Sequence, residues 1–151
     1  MRKPTHLSKA VEYVIKNKGD CSNVWVVFDK DHFDIEKAIR LAEENKINIA
    51  WSNECFELWL ILHFNYITTS LDRKESLKKI KELIKKNCGI DYDKNSKKIY
   101  ELTKEKIKIA VAYSKKQYQL MKRDKVTVNK ANPCNTVFKL VEVLLKSIDN
   151  E

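Results

Sequence analysis

The sequence predicts an α/β protein: a short, mostly parallel sheet flanked by helices, with a helical C-terminal region. Three observations predict it. Residues 24–28 (VWVVF) and 47–51 (INIAW) are short apolar, β-rich runs separated by a helical pattern. Strand, helix and strand over about 30 residues form a βαβ unit, whose crossover is right-handed. Past residue 66 the chain turns Lys-rich and its apolar residues recur at helical spacing, while the whole sequence holds two Gly and two Pro, too few for a turn-rich fold.

Taken in order, Leu7, Ala10, Val11, Val14 and Ile15 lie at i, i+3, i+4, i+7 and i+8, one apolar helix face. Gly19 ends that helix. Residues 24–28 form a continuous apolar run that reads as a buried strand of a parallel sheet. Asp34 is placed to cap the next helix, whose core face is Ile35, Ala38, Ile39 and Ala42. After the second strand, Ser52 and Asn53 have N-cap chemistry, and 55–64 reads as a helix apolar nearly all round and therefore buried. Leu77, Ile80 and Ile84 mark a Lys-rich amphipathic helix. A longer one is expected over about 97–121, with Tyr100, Ile107, Val111, Ser114, Tyr118 and Met121 near one stripe. Asn132–Pro133 is a boundary. Thr136 is placed to cap a last helix, with Val137, Leu140, Val141, Leu144 and Ile148 inward.

The chain of 151 residues is 43% hydrophobic and 34% charged, which excludes disorder and suffices for one core. Residues 1–66 are expected as the α/β part, with 67–151 a Lys-rich helical region packed on it in a single domain. No apolar run exceeds the five residues of 58–62, far from the roughly 20 needed to cross a bilayer. Residues 1–10 hold no apolar signal core, so a cytoplasmic protein without membrane contact is expected. Cys21, Cys55, Cys88 and Cys134 are widely spaced, excluding CxxC zinc or redox pairs and favouring reduced, mostly buried thiols. No Gly-rich phosphate loop, GxSxG or HExxH motif occurs, which leaves ATPase, serine-hydrolase and zincin chemistry without support.

Net charge is +9, and its distribution is uneven. Residues 1–64 carry 9 basic and 10 acidic side chains, net −1; residues 65–151 carry 21 and 11, net +10. An excess confined to the helical half suits a phosphate backbone, with a solvated lysine surface as the alternative. The candidate contacts are Lys78, Lys79, Lys85, Lys86, Lys115, Lys116, Lys122 and Arg123, with the Lys97–Lys98 pair beside them. Tyr92, Tyr100, Tyr113 and Tyr118 are candidates for base stacking or for the core.

Two places are candidates for catalytic chemistry. Asp29-Lys30-Asp31 follows the first strand, and alternation along an extended chain points Asp29 and Asp31 the same way, roughly 7 Å apart. The carboxyl ends of parallel strands are where open α/β sheets place their sites. Two carboxylates there need a cation, and Mg²⁺, which keeps several waters and takes a substrate phosphate, suits them. The alternative is a turn whose Asp side chains accept from backbone amides. Glu57 opens the apolar helix beside them, either as a further supporting group or as a helix-terminus charge. His63 reads as a satisfied core histidine, or as a catalytic one.

The stretches 24–31 (VWVVFDKD), 52–64 (SNECFELWLILHF) and 132–144 (NPCNTVFKLVEVL) together resemble the RloB-like family. That pattern runs from a strand into Asp-x-Asp, then a Ser-Asn-x-x-Phe-Glu-x-Trp-Leu block ending near His-Phe, then Asn-Pro-x-x-x-Val. The resemblance implies a Toprim-like fold and Mg²⁺-dependent (or Mn²⁺-dependent) phosphodiester chemistry. Asp29 and Asp31 would be metal ligands and catalytic groups, Glu57 a supporting catalytic one. It also implies a role in restriction–modification or anti-phage defence. With the charge split it makes nucleic acid the expected partner, and an ATPase encoded in the same locus is the alternative partner if the chain is a non-catalytic module. Family members begin with a strand and a Glu-Gly-x-x-Thr-Glu-type segment that has no counterpart here, so the chain is expected to be N-terminally trimmed relative to the pattern. The competing expectations are a non-catalytic module that binds nucleic acid or a partner, and a homo-oligomer joined through an exposed sheet edge.

Overall fold

A computed structural model describes residues 5–150. The chain is α/β, with a small mixed sheet and a largely helical C-terminal half. The elements are α1 (Thr5–Asn17), β1 (Trp25–Asp29), α2 (Glu36–Glu44), β2 (Asn48–Asn53), α3 (Glu57–Ile61), α4 (Arg73–Cys88), α5 (Ile99–Thr103), α6 (Ile107–Arg123), β3 (Cys134–Asn135) and α7 (Val137–Asp149). The sheet order is β1-β2-β3. β1 and β2 are parallel, with Trp25 opposite Asn48 and Asp29 opposite Ser52. β3 is antiparallel to β2, with Ser52 opposite Asn135.

Facing residues of a parallel pair share a side, so Val26 and Phe28 lie with Ile49 and Trp51. On that side they pack with Leu7 and Val11 of α1 and with Ala38 and Ala42 of α2, and the cluster reaches Met121, Ala131 and Cys134. A second cluster gathers 58–62 with Ile80 and Ile84 of α4, Ala110 of α6 and Val137 and Phe138 of α7. Each large aliphatic side chain fully buried there contributes about 1.5–3 kcal/mol of transfer free energy. Tyr118 packs against both clusters.

Several sequence expectations change on contact with the structure. β1 is an edge strand and is not buried on both sides: Val27 is 49% exposed. Ser52 and Asn53 do not cap a helix, because β2 runs on to Asn53 to pair with β3. The helix expected over 55–64 is the single turn and a half of α3, continued by turns to Phe64, although 57–63 are all buried as expected. The long helix over 97–121 is broken into α5, a 3-10 turn at Lys104–Lys106, and α6. Thr103 bends away from regular helix here, its hydroxyl donating to the Ile99 carbonyl. Tyr100 is exposed rather than part of the stripe, as are Ala10 on α1 and Leu144 and Ile148 on α7 (52% and 65%). Thr136 precedes α7 without capping it; its hydroxyl accepts the Trp51 N–H instead. The short β3 had no counterpart in the sequence pattern.

α1, α2 and α4 fall where the apolar spacing places them. Gly19, at φ +53°, carries the turn after α1. Cys55 and Cys134 are buried free thiols, Cys88 is half-buried and Cys21 exposed. Among the described residues no helix is long and apolar enough to cross a membrane.

Candidate active site

Asp29 is the last residue of β1, and Asp31 follows it in a turn. The ladder continues past the strand: Lys30 N–H donates to the Ser52 carbonyl at 2.8 Å and Asp31 N–H to the Glu54 carbonyl at 2.9 Å. Asp31 has φ +47°, a left-handed conformation that Asp tolerates better than most residues. The two carboxylates therefore meet through this turn, and not through the strand alternation that the spacing suggested.

What they meet on is Arg73. Its Nη2 donates to Asp29 Oδ2 at 2.9 Å and to Asp31 Oδ2 at 2.7 Å, and its Nε donates to Asp31 Oδ1 at 2.9 Å. The remaining oxygen, Asp29 Oδ1, accepts the Phe56 N–H at 2.9 Å. All four carboxylate oxygens are thus engaged, three of them by one guanidinium. The fork on Asp31 is the bidentate geometry that makes Arg–carboxylate pairs strong. The hydrogen bonds to Asp31 raise the Arg73 pKa above its ordinary value; partial burial opposes them and Asp29 adds to the rise.

Arg73 is held in place by its backbone. It is the first residue of α4, directly after the N-cap Asp72, and Asp72 and Glu75 form a reciprocal capping box. The Arg73 N–H donates to Glu54 Oε2 at 3.0 Å, tying α4 to the loop after β2. A cation at a helix N-terminus is unfavourable for the dipole, and the Asp29–Asp31 pair compensates it. Arg73 and Glu54 are the site residues that sequence reasoning missed. The available signal was an Arg, one of four in a Lys-rich chain, set inside a D-x-x-E capping box. Lys30, between the two aspartates, is also buried, its Nζ donating to the Asp31 carbonyl at 3.2 Å.

The Glu57 carboxylate has contacts of its own, with Lys94 and Cys55. Glu57 is 3% exposed. Its Oε1 lies 3.4 Å from Lys94 Nζ, while Oε2 is buried without a hydrogen-bond partner. Burial pushes its pKa up, but the Cys55 thiol, its own N–H and Lys94 outweigh this and leave it below the ordinary value. The same contact shows in its neighbours. Burial and then Glu57 push Cys55 up to about 12 and Tyr92 up to about 12. The residue before Glu57, Phe56, donates its N–H to Asp29, so the segment that opens α3 touches the aspartate pair through its backbone. Among the described residues no three His, Cys, Asp or Glu side chains gather in a way that would hold a metal.

His63 is a buried core residue. Its Nδ1 donates to the Trp59 carbonyl at 2.9 Å and its ring meets Trp59 edge-on at 4.9 Å. Asp34 is not the N-cap that the sequence suggested: Ile35 holds that position without a side-chain cap bond, and Asp34, one residue earlier, accepts the Glu36 N–H on Oδ1 at 3.0 Å in an Asx-type turn. Asn129 donates to that oxygen as well, and these two bonds, Asn129 first, lower its pKa.

The basic candidates separate by what they touch. Lys85 pairs with Asp91 at 3.3 Å, Arg123 with Asp124 at 2.7 Å, and Lys115 with Glu142. Lys116 lies over Tyr66 and Lys122 over Tyr118, so Tyr118 is occupied from outside as well as packed within. Lys78 and Lys79 lie on α4, the helix that begins at Arg73, and Lys79 and Lys86 line a groove with Phe64 and Asn65. No ion pair is formed by Lys78, Lys79 or Lys86 among the described residues.

The family model described as RloB-like protein matches residues 2–144. The chain belongs to the RloB-like family. Neither the curated proteins nor the solved structures give a significant match. The matched span of this RloB-like chain takes in both aspartates, Arg73 and the whole of α4 and α6.

Proposed function

We propose that this RloB-like chain acts on nucleic acid as a Toprim-type, Mg²⁺-dependent nuclease or a protein derived from one, in restriction–modification or anti-phage defence. One observation carries the reading. The Asp29 and Asp31 carboxylates converge on a single positive centre, Arg73 Nη2, at the carboxyl ends of two parallel strands, where α/β folds bind ligands.

That geometry also bears on whether a divalent ion suits the residues present. A cation is already shared by one oxygen from each aspartate, so the pair presents two hard donors to one point. Mg²⁺ needs only one or two carboxylates when water and phosphate complete its shell. The fit is conditional on Arg73 leaving. Asp29 and Asp31 would hold the ion, which supplies Lewis-acid polarisation of a phosphoryl oxygen when bound. Asp29 is oriented by the Phe56 N–H and Asp31 by the turn at Lys30. Lys78, Lys79 and Lys86 supply unpaired positive charge for the strand.

The test is cleavage of labelled DNA and RNA with Mg²⁺ or Mn²⁺, comparing the wild type with Asp29→Ala and Asp31→Ala. Metal-dependent cleavage lost in both variants is the expected result. Cleavage unchanged in the variants overturns the assignment. A second reading, a non-catalytic nucleic-acid-binding module, is favoured by Arg73 itself, which neutralises the pair without any metal. It predicts salt-sensitive binding that is indifferent to chelator, with no cleavage.

A further inference from the structure

We infer that Arg73 is a built-in competitor for the divalent cation at Asp29 and Asp31, released to the phosphodiester when nucleic acid arrives. The inference rests on the metal reading above and deepens it.

The argument starts from occupancy. Three of the four carboxylate oxygens of Asp29 and Asp31 accept hydrogen bonds from Arg73, among them the one from each aspartate that faces the shared point. A guanidinium and a divalent ion cannot share that seat: both are cations, and Nη2 occupies the point between the carboxylates. Metal binding therefore requires Arg73 to leave, and the apparent affinity falls by the fraction of molecules in which it has left.

The second step is where Arg73 goes. Its backbone stays fixed by the capping box and by the Glu54 contact, so only the side chain moves. That side chain is 41% exposed, so it reaches solvent without unpacking the core. A planar fork that matches a carboxylate also matches a phosphate. Once a phosphodiester lies beside the aspartates, Arg73 has an anionic partner of equivalent geometry. Metal and nucleic acid would then bind cooperatively, and each would raise the other's affinity by the same factor. A protein with this device keeps its metal seat closed until substrate is present.

The experiment measures Mn²⁺ binding by electron paramagnetic resonance, with and without a phosphorothioate oligonucleotide that resists cleavage. The proteins are wild type, Arg73→Met, Arg73→Lys and Asp29→Asn. Arg73→Met keeps the aliphatic stem and removes the charge; circular dichroism confirms that α4 is retained. Without oligonucleotide, Arg73→Met binds Mn²⁺ about tenfold more tightly than wild type if the closed state holds about nine-tenths of the molecules. Arg73→Lys, a cation without the fork, falls between them. With oligonucleotide the wild type tightens and Arg73→Met does not. Asp29→Asn loses Mn²⁺ binding throughout. Equal Mn²⁺ affinity in wild type and Arg73→Met overturns the competitor role while leaving the metal site standing. Absence of Mn²⁺ binding in every protein, with and without oligonucleotide, overturns the metal reading and the competitor role with it.

Discussion

At the scale of single residues, position along the chain reveals chemistry more readily than partnership. Asp29 and Asp31 stand out in the sequence because they follow a strand, and the structure brings their carboxylates together. Their partner stays hidden because Arg73 is 42 residues beyond Asp31, and nothing local marks it as reaching back. Glu57 stands out as a buried acid, yet which cation would answer it depends on the loop carrying Lys94. His63 is the cleanest case, since an apolar helix face alone indicates a core histidine. Burial holds its pKa below the ordinary 6.5, Lys106 adds to this, and the Trp59 and Leu60 backbone partly offset both. The folded state thus refuses a proton that the unfolded chain accepts. The His63 contribution to stability is complete above pH 6.5 and is lost progressively as pH falls below it. Urea unfolding of wild type and His63→Gln at about pH 7.5 and about pH 5.5 reads this. The loss of midpoint between the two pH values should be smaller in the variant, and an equal loss in both proteins contradicts the assignment.

At the scale of elements, helices set by apolar spacing are legible and those set by contacts at their ends are not. α4 is recognised from Ile80 and Ile84, but its start is fixed by Asp72 and Glu75. The second strand ends late because β3 adds to it, and β3 exists through two residues that no periodicity marks. Asn135 shows why that pairing holds. It is fully buried, its Nδ2 donates to Ser114 Oγ at 3.1 Å, and its Oδ1 accepts the Val137 N–H at 3.1 Å. Asn135→Leu leaves both groups without partners, and a loss of about 2 kcal/mol is expected in denaturant unfolding. A change within about 0.5 kcal/mol would mean that the network is replaceable. Asp72→Ala removes one arm of the capping box and should cost about 1 kcal/mol. It should also loosen Arg73, which is the adjacent residue. A thermal melt measures the first effect. Tighter Mn²⁺ binding by Asp72→Ala, in the direction of Arg73→Met, measures the second.

At the scale of the whole molecule, the split of charge between the two halves is visible by counting, but which lysines are available is not. The structure shows that Lys85, Lys115 and Arg123 already have acidic partners, whereas Lys78 and Lys79 share α4 with Arg73 and have none among the described residues. A paired lysine gives up its acid to take a phosphate, so it adds little to binding. An unpaired one releases a counterion from the nucleic acid, and each such contact adds about 0.7–0.9 to the slope of log affinity against log salt. Nucleic-acid affinity measured across a salt series should therefore lose slope by about 1.5 in the Lys78→Ala, Lys79→Ala double variant. Lys85→Ala combined with Arg123→Ala should leave the slope nearly unchanged, although it removes the same number of positive charges. If the two double variants lose slope equally, the positive half acts as a diffuse field and no track along α4 leads to Arg73 and the aspartates.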